Sequence, residues 1–358
     1  MQKLNIAVFD GDGIGPEITA PTVKLIDKVA REAQVAMTFE TLPAGAGYYR
    51  DHGESLPRAS VDAARTADAV LLSAMGLPGV RYPDGTEIVP QIELRFELDL
   101  YAGVRPVTLL PGQKGPLALP EGQGIDFVLI RESTEGLFAS MNKGEVTEDE
   151  ARETMVITRR VTEKLSDFAF KLARQRKAKG HPGKVMCVDK ANVFRAFAFM
   201  RKIFEERAAL NPDIDASAGY VDAVALWMVQ KPWIFDVMIT ENMFGDILSD
   251  LGAGLMGGLG MAPSADIGDG HAVFQPCHGT APDIAGKGIA NPGAMILSGA
   301  MMLDWLAEEK ALPGLASGAE RLRDAVTRVL ADGGASVTPD LGGTASTDGF
   351  AAAVEAAL

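Results

Sequence analysis

Two aspartates four residues apart stand in "TENMFGDILSD", residues 240–250: Asp246 and Asp250, among Met243, Phe244, Ile247, Leu248 and Leu251. On a helix, that spacing puts both carboxylates on one face. A buried carboxylate without a partner is costly enough to neutralise itself. The segment therefore either faces a cation or is an ordinary solvated helix edge. A second stretch, "PCHGTAPDIAGKGIANP" at 276–292, is too polar and glycine-rich for an element interior. It gathers His278, Thr280, Asp283 and Asn291 among free backbone donors, the makeup of a nucleotide-binding loop, with a surface Ω-loop as the plainer alternative. A third, "FDGDGIGPE" at 9–17, can offer backbone N–H groups to an anion or serve only as a tight turn. It is neither a Rossmann fingerprint, because Pro16 breaks the G-x-G-x-x-G spacing, nor a P-loop, because no GK[ST] follows.

The elements that must carry these residues read as α/β. "NIAVFD", "DAVLLSAM", "FVLIRE", "KVMCVDK" and "FDVMITEN" are short apolar runs that predict buried strands. "GPEITAPTVKLIDKVAREAQ" places Ile18, Val23, Ile26, Val29 and Ala30 near helical spacing, and "GAMILSGAMMLDWL" reads as a core helix. The alternation predicts a substantial parallel sheet. "VTLLPGQKGPLALPEGQG", 107–124, reads as a connection. The glycine-rich "LGAGLMGGLGMAPSADIGDG" reads as a loop or crossover at a domain junction. A chain of 358 residues suggests two domains. Its formal net charge of −14 disfavours a nucleic-acid backbone or an anionic membrane as partner. No apolar run reaches the roughly 18 residues of a membrane span. "MQKLNIAVFDGDG" carries no signal-peptide pattern, and the only cysteines, Cys187 and Cys277, fit a reducing, cytoplasmic setting.

"GDGIGPE", "LRFELDLYAGVRP", "RESTEG", "VDKANV", "YVDA", "TENMFGDILSDL" and "HGTAPDIAGKGIANP" occur in one order along nearly the whole chain. In this the chain resembles the β-decarboxylating dehydrogenases: isopropylmalate, isocitrate, homoisocitrate and tartrate or malate dehydrogenases. The resemblance implies the two-domain α/β fold of isocitrate and isopropylmalate dehydrogenases, not a Rossmann fold. It divides the chain into 1–100 with 257–358, a larger cofactor-binding domain, and 101–256, a smaller substrate and dimerisation domain. It implies a homodimer with shared active sites, NAD as cofactor, Mg²⁺ or Mn²⁺, and a small dicarboxylate 2-hydroxy acid as substrate. Asp246 and Asp250 match metal ligands, with Asp222 from the neighbouring subunit as the third and as part of the catalytic set. Hard oxygen ligands suit such ions. Arg95, Arg105 and Arg131 match the arginines that clamp two carboxylates, a task for a planar, always-charged fork. Lys190, from the other subunit, matches the catalytic lysine that accepts the hydroxyl proton, and Asn192 a further substrate contact. Gln275, His278, Gly279, Thr280, Ala281, Asp283, Ile284 and Asn291 match the cofactor site. Asp283 would bind the ribose hydroxyls and repel a 2′-phosphate, hence NAD.

The chain departs from the family at Phe138, where a tyrosine that helps protonate the enolate is usual, and at Gln275, where a glutamate is usual. In the specificity segment "GTEIVPQIEL", Ile92 suits an apolar substituent and Gln91 a polar one, with no cation for a third carboxylate. This favours a 3-isopropylmalate-like substrate. The alternatives are a tartrate, D-malate or isocitrate type of dehydrogenase, or a non-catalytic regulatory subunit of the same fold.

Overall fold

The structure, a computed structural model, describes residues 2–358. In chain order, β1 (Gln2–Phe9), α1 (Gly15–Glu32), β2 (Val35–Thr41), α2 (Ala46–His52), α3 (Arg58–Thr66), β3 (Ala69–Leu72) and α4 (Pro90–Glu97) lead into β4 (Ala102–Thr108) and β5 (Asp126–Glu132). A small hairpin, β6 (Glu145–Val146) and β7 (Ala151–Arg152), precedes α5 (Arg159–Ala178), β8 (Lys184–Asp189), α6 (Arg195–Ala208), β9 (Asp215–Tyr220), α7 (Val221–Gln230), β10 (Val237–Thr240) and α8 (Asn242–Leu255). The chain closes with β11 (Pro263–Ile267), β12 (Ala272–Pro276), α9 (Gly293–Glu309), α10 (Pro313–Asp332) and α11 (Thr347–Ala357).

Ten strands form one sheet in the order β2-β1-β3-β12-β11-β4-β5-β10-β8-β9. The substantial parallel sheet is present, within a mixed sheet that also holds antiparallel strands. Two parallel blocks, β2-β1-β3-β12 and β5-β10-β8-β9, are joined through antiparallel pairings of β12 with β11, β11 with β4, and β4 with β5. The joining strands escaped the sequence reading. "PSADI" hides inside the stretch read as a loop, and "AGVRPVT" and "AVFQP" are interrupted by glycine, proline and polar residues. Those polar residues serve the site described below.

The predicted strands are all present, and their burial explains their composition. All four residues of β3 and of β10 are buried, so neither shows polar alternation. Helix α1 buries Ile18, Leu25, Ile26 and Val29, one stripe at helical spacing, and α9 is buried around nearly its whole circumference.

The loop between β1 and α1 is internal scaffolding. Asp12, 7% exposed, accepts backbone N–H bonds from Ala46, Gly47 and Gly76, each 2.8 Å long. Ile14 N–H bonds to Thr280 O at 2.9 Å. Gly13 lies at φ +59°, and a Cβ there would sit 2.1 Å from that same oxygen. The loop's amides and its carboxylate thus knit three segments rather than await an anion. Three charge-assisted bonds make Asp12→Ala destabilising by about 3 kcal/mol, to be read as a lower urea midpoint at unchanged slope.

Candidate active site

Alternation along three adjacent strands sets the floor of a cleft. Arg105 of β4, Ser264 and Asp266 of β11 and Gln275 of β12 face one side of the sheet, where they meet Gln91 and Arg95 from α4, Arg131 at the end of β5, and Asp246, Ser249 and Asp250 from α8. Cys277, His278 and Gly279 close the wall. The space enclosed is about 210 Å³.

The three arginines are buried, at 6–8% exposure. Arg95 does not pair with its sequence neighbours Glu93 and Glu97, which bond to Tyr82 and Ser55 and to Arg58 and Arg65 respectively. Its Nε reaches Asp266 Oδ2 at 3.1 Å, while Arg105 Nη2 reaches Asp266 Oδ1 at 3.3 Å. Gln275 Nε2 also donates to Asp266, at 2.7 Å. Burial alone would raise the Asp266 carboxyl, but Arg95, Arg105 and Arg131 together hold it below its usual range. Asp266 is the residue that sequence reading missed. Its one signal was an acidic residue inside a short apolar run, too weak to stand out from the glycines around it.

Arg131 is less well compensated. Desolvation pushes its guanidinium down to about 10, with Arg95 and Arg105 adding repulsion and Asp246 opposing. Its Nη1 bonds Asp246, its Nη2 reaches Asn242 Oδ1 at 3.3 Å, and its Nε is buried without a partner. Helix α8 approaches so closely because residue 245 is glycine: a Cβ there would lie 2.5 Å from Arg131 Cγ.

Helix α8 combines a buried face with a solvated edge. The helix buries Gly245, Leu248, Ser249, Gly252 and Ala253, while Asp246 and Asp250 lie on an adjacent exposed edge. Partial burial and the neighbouring Asp246 raise the Asp250 carboxyl, with Arg131 and Arg105 lowering it in part. Glu241 caps the helix by accepting from Phe244 N (2.7 Å) and Met243 N (3.1 Å). Ile247, 63% exposed, and Met243 form an apolar strip beside the aspartates, and Leu226 and Val229 of α7 form another.

Several expected site residues lie elsewhere within the chain. Lys190 follows β8 and pairs with Asp222, at the start of α7, at 2.5 Å. That bond holds the Asp222 carboxyl below its usual range. Neither lines the arginine cleft, and among the described residues no group of three His, Cys, Asp or Glu is placed to hold a metal ion. Asn192 is exposed. Ile92 does not line the cleft, whereas Gln91 does, with its Oε1 buried and unpartnered. Phe138 stacks edge-on against Phe96, centroids 6.1 Å apart, and its ring lies 5.9 Å from the Arg131 guanidinium carbon.

In the loop after β12, Thr280 and Asn291 are committed internally. Thr280 Oγ1 donates to Gly76 O at 2.7 Å, and Asn291 bonds Asp340 at 2.9 Å and Gly293 N at 2.8 Å. Ala281 and Ile284 pack against the core, and Asp283 is exposed. His278 pairs Nδ1 with Gly279 O at 2.9 Å and leaves Nε2 buried and unpartnered. Burial lowers its pKa, so the ring is neutral and Nε2 is a free acceptor.

The family model described as isocitrate/isopropylmalate dehydrogenase matches residues 5–354. The chain is 42% identical over 345 residues to the 3-isopropylmalate/3-methylmalate dehydrogenase of Methanocaldococcus jannaschii, covering 96% of this chain and 95% of that one. It is 39% identical over 355 residues to the 3-isopropylmalate dehydrogenase of Streptococcus thermophilus, covering 98% of each. The crystal structure of isocitrate dehydrogenase from Methylococcus capsulatus superposes with a TM-score of 0.85 at 37% identity, over 100% of this chain and 99% of that one. With the family model matching nearly the whole chain and relatives 39–42% identical over nearly their full length, the chain belongs to the isocitrate/isopropylmalate dehydrogenase family.

Proposed function

We propose that the chain is an NAD- and divalent-metal-dependent enzyme that oxidises and decarboxylates a 3-substituted malate, with a 3-isopropylmalate-like compound favoured. The observation that carries the reading is the convergence of three buried arginines beside two carboxylates in one cleft. Isolated guanidinium groups are not buried together without an anionic ligand or partner. Asp266 neutralises Arg95 and Arg105 in part, and Arg131, paired with Asp246, keeps its Nε buried without a partner. A dicarboxylate completes the set. The relatives' names support a substituted malate as that dicarboxylate.

The metal fits the exposed edge of α8. Asp246 and Asp250 offer hard oxygen donors on one face, and since among the described residues no third His, Cys, Asp or Glu stands with them, the third place suits a donor from another chain. Asp222 of a second copy is the proposed donor, and the apolar strips on α7 and α8 suit a homodimer contact. NAD fits the loop after β12, where His278 Nε2 is a buried free acceptor and Asp283 an exposed carboxylate with room for ribose hydroxyls. Gly279 offers its backbone there, while Thr280, Ala281, Ile284 and Asn291 shape the loop. When bound, the cation supplies Lewis-acid polarisation and NAD a hydride acceptor. The protein's part is positional. The arginines orient both carboxylates, Lys190 of the second copy takes the hydroxyl proton, and Asp222 beside it in that copy holds Lys190 in place. Phe138 brings no proton, so reprotonation after loss of CO₂ falls to another group or to water. Gln275 replaces a carboxylate by an amide that can donate to Asp266. On this reading the division into 1–100 with 257–358 and 101–256 would part the sheet between the neighbouring strands β11 and β4, beneath the cleft.

Tartrate, D-malate or isocitrate as substrate is the second reading. Gln91 motivates it, since a buried free carboxamide oxygen suits a polar substituent. A regulatory subunit of the same fold is the third. It is disfavoured because both α8 aspartates, Lys190 and all three arginines are retained.

NADH formation with Mn²⁺ on a panel of 3-isopropylmalate, D-malate, tartrate, isocitrate and homoisocitrate, with CO₂ recorded, tests the function. Silence across the panel would overturn it. Lys190→Met lowers turnover by roughly 10²–10⁴-fold. Asp246→Asn weakens Mn²⁺ binding by calorimetry. Mixing these two inactive chains through a denaturation and refolding cycle restores about one quarter of wild-type activity if sites are shared across a two-fold, and none if each site is built from one chain. Gln91→Leu shifts the ratio of kcat/KM for 3-isopropylmalate over tartrate upward by roughly 10–10²-fold, because the buried carboxamide no longer loses a bond to an apolar substituent.

A further inference from the structure

Strand alternation makes a second cleft. Val104 of β4, Ile267 of β11 and Phe274 of β12 point away from the arginine cleft and floor another, of about 500 Å³, on the opposite face of the same three strands. Its walls come from the two ends of the sheet. One is α5, which packs on the β5-β10-β8 block, and the other is the C-terminal part of α9, which packs on β11, β12 and β3. Because the two clefts lie back to back over one seam, a rotation about the seam that narrows the arginine cleft widens this one.

Polar bonds cross the second cleft. Lys171 Nζ reaches Glu308 Oε1 at 2.6 Å, and Gln175 Nε2 reaches Glu308 Oε2 at 3.0 Å. Lys164 Nζ reaches Asp269 at 2.6 Å, and Arg160 and Lys164 each reach Asp99 at 3.4 Å. Residues 160, 164, 171 and 175 recur at helical spacing, so one face of α5 carries every one of these bonds. Their partners lie on α9, on the turn between β11 and β12, and after α4. None of these side chains lines the arginine cleft.

We propose that this face of α5 is a latch that sets the resting opening of the arginine cleft, with Lys171 and Glu308 as positioning residues. The proposal rests on the reading above that the cleft binds a dicarboxylate between two bodies. Closing around substrate must break or stretch the latch. The latch therefore taxes substrate binding by lowering the fraction of closed molecules. Single exposed pairs are weak, but several on one helix face act together.

The test compares wild type, Lys171→Met, and the charge-exchanged double variant Lys171→Glu with Glu308→Lys. Without substrate, hydrogen exchange in the peptide spanning 301–309 is faster in Lys171→Met and returns to the wild-type rate in the double variant. This readout stands whatever the substrate proves to be. With the substrate identified on the panel, Lys171→Met lowers KM by about two- to fivefold while kcat stays the same or falls through slower release, and the double variant restores KM. A KM that is unchanged or raised in Lys171→Met overturns the latch. So does a double variant that behaves like the single one, because the effect then comes from local packing and not from the pair. Faster exchange with no panel activity leaves the latch supported on structure and sinks the substrate reading instead.

Discussion

The cleft depends on one buried carboxylate. Three guanidinium groups are held within reach of a single small ligand, and their mutual repulsion at low dielectric would open the sheet or drive them to solvent. Asp266, 1% exposed, sits between Arg95 and Arg105 and accepts from both and from Gln275. It turns a repulsive cluster into a rigid platform, while Asp246 pairs with the third guanidinium, Arg131. A site built this way is selective by electrostatics before any shape is considered. On the proposed function, such a site would favour a dianion over a neutral isostere, which would leave the buried arginines without their anionic partners.

The platform has to be made on antiparallel strands in the middle of an otherwise parallel sheet. Within the parallel blocks the inner strands β3 and β10 are buried along their whole length and show no polar alternation. At the β12-β11-β4-β5 seam the helices stand apart on both sides, which leaves a cleft on each face. The strands there alternate sharply, with Arg105, Asp266 and Gln275 on one side and Val104, Ile267 and Phe274 on the other. One constraint, the period of two along a strand, thus links the polar cleft to the apolar-floored cleft behind it.

The departures at Phe138 and Gln275 acquire a physical context from this geometry. Gln275 is not an inert replacement, because its amide N–H donates to Asp266, which a carboxylate at that position could not do without taking up a proton. Phe138 keeps an aromatic face near Arg131 and packs on Phe96, so the shape of that corner is retained while the hydroxyl is absent.

The sequence by itself determined the main strands and helices, because those depend on residue type at fixed spacing, and its ordered motifs carried the resemblance that implied the family and singled out the three arginines. Apolar runs dictate buried strands, and the motif "GDILSD" puts two carboxylates on one helix face wherever the helix lies. It did not disclose the antiparallel seam, since β4, β11 and β12 are short, broken by Gly or Pro, and polar at alternate positions. Nor did it reveal Asp266, whose meaning lies in partners 171 and 161 positions away. Only the tertiary structure decided that Arg95 turns inward, that Gln91 and not Ile92 faces the cleft, that Asn291 and Thr280 serve the scaffold, and that Lys190 and Asp222 stand together but apart from Asp246. These are contacts between elements distant in the chain. Local propensity and spacing fix which face of an element is polar, but only packing fixes what that face meets.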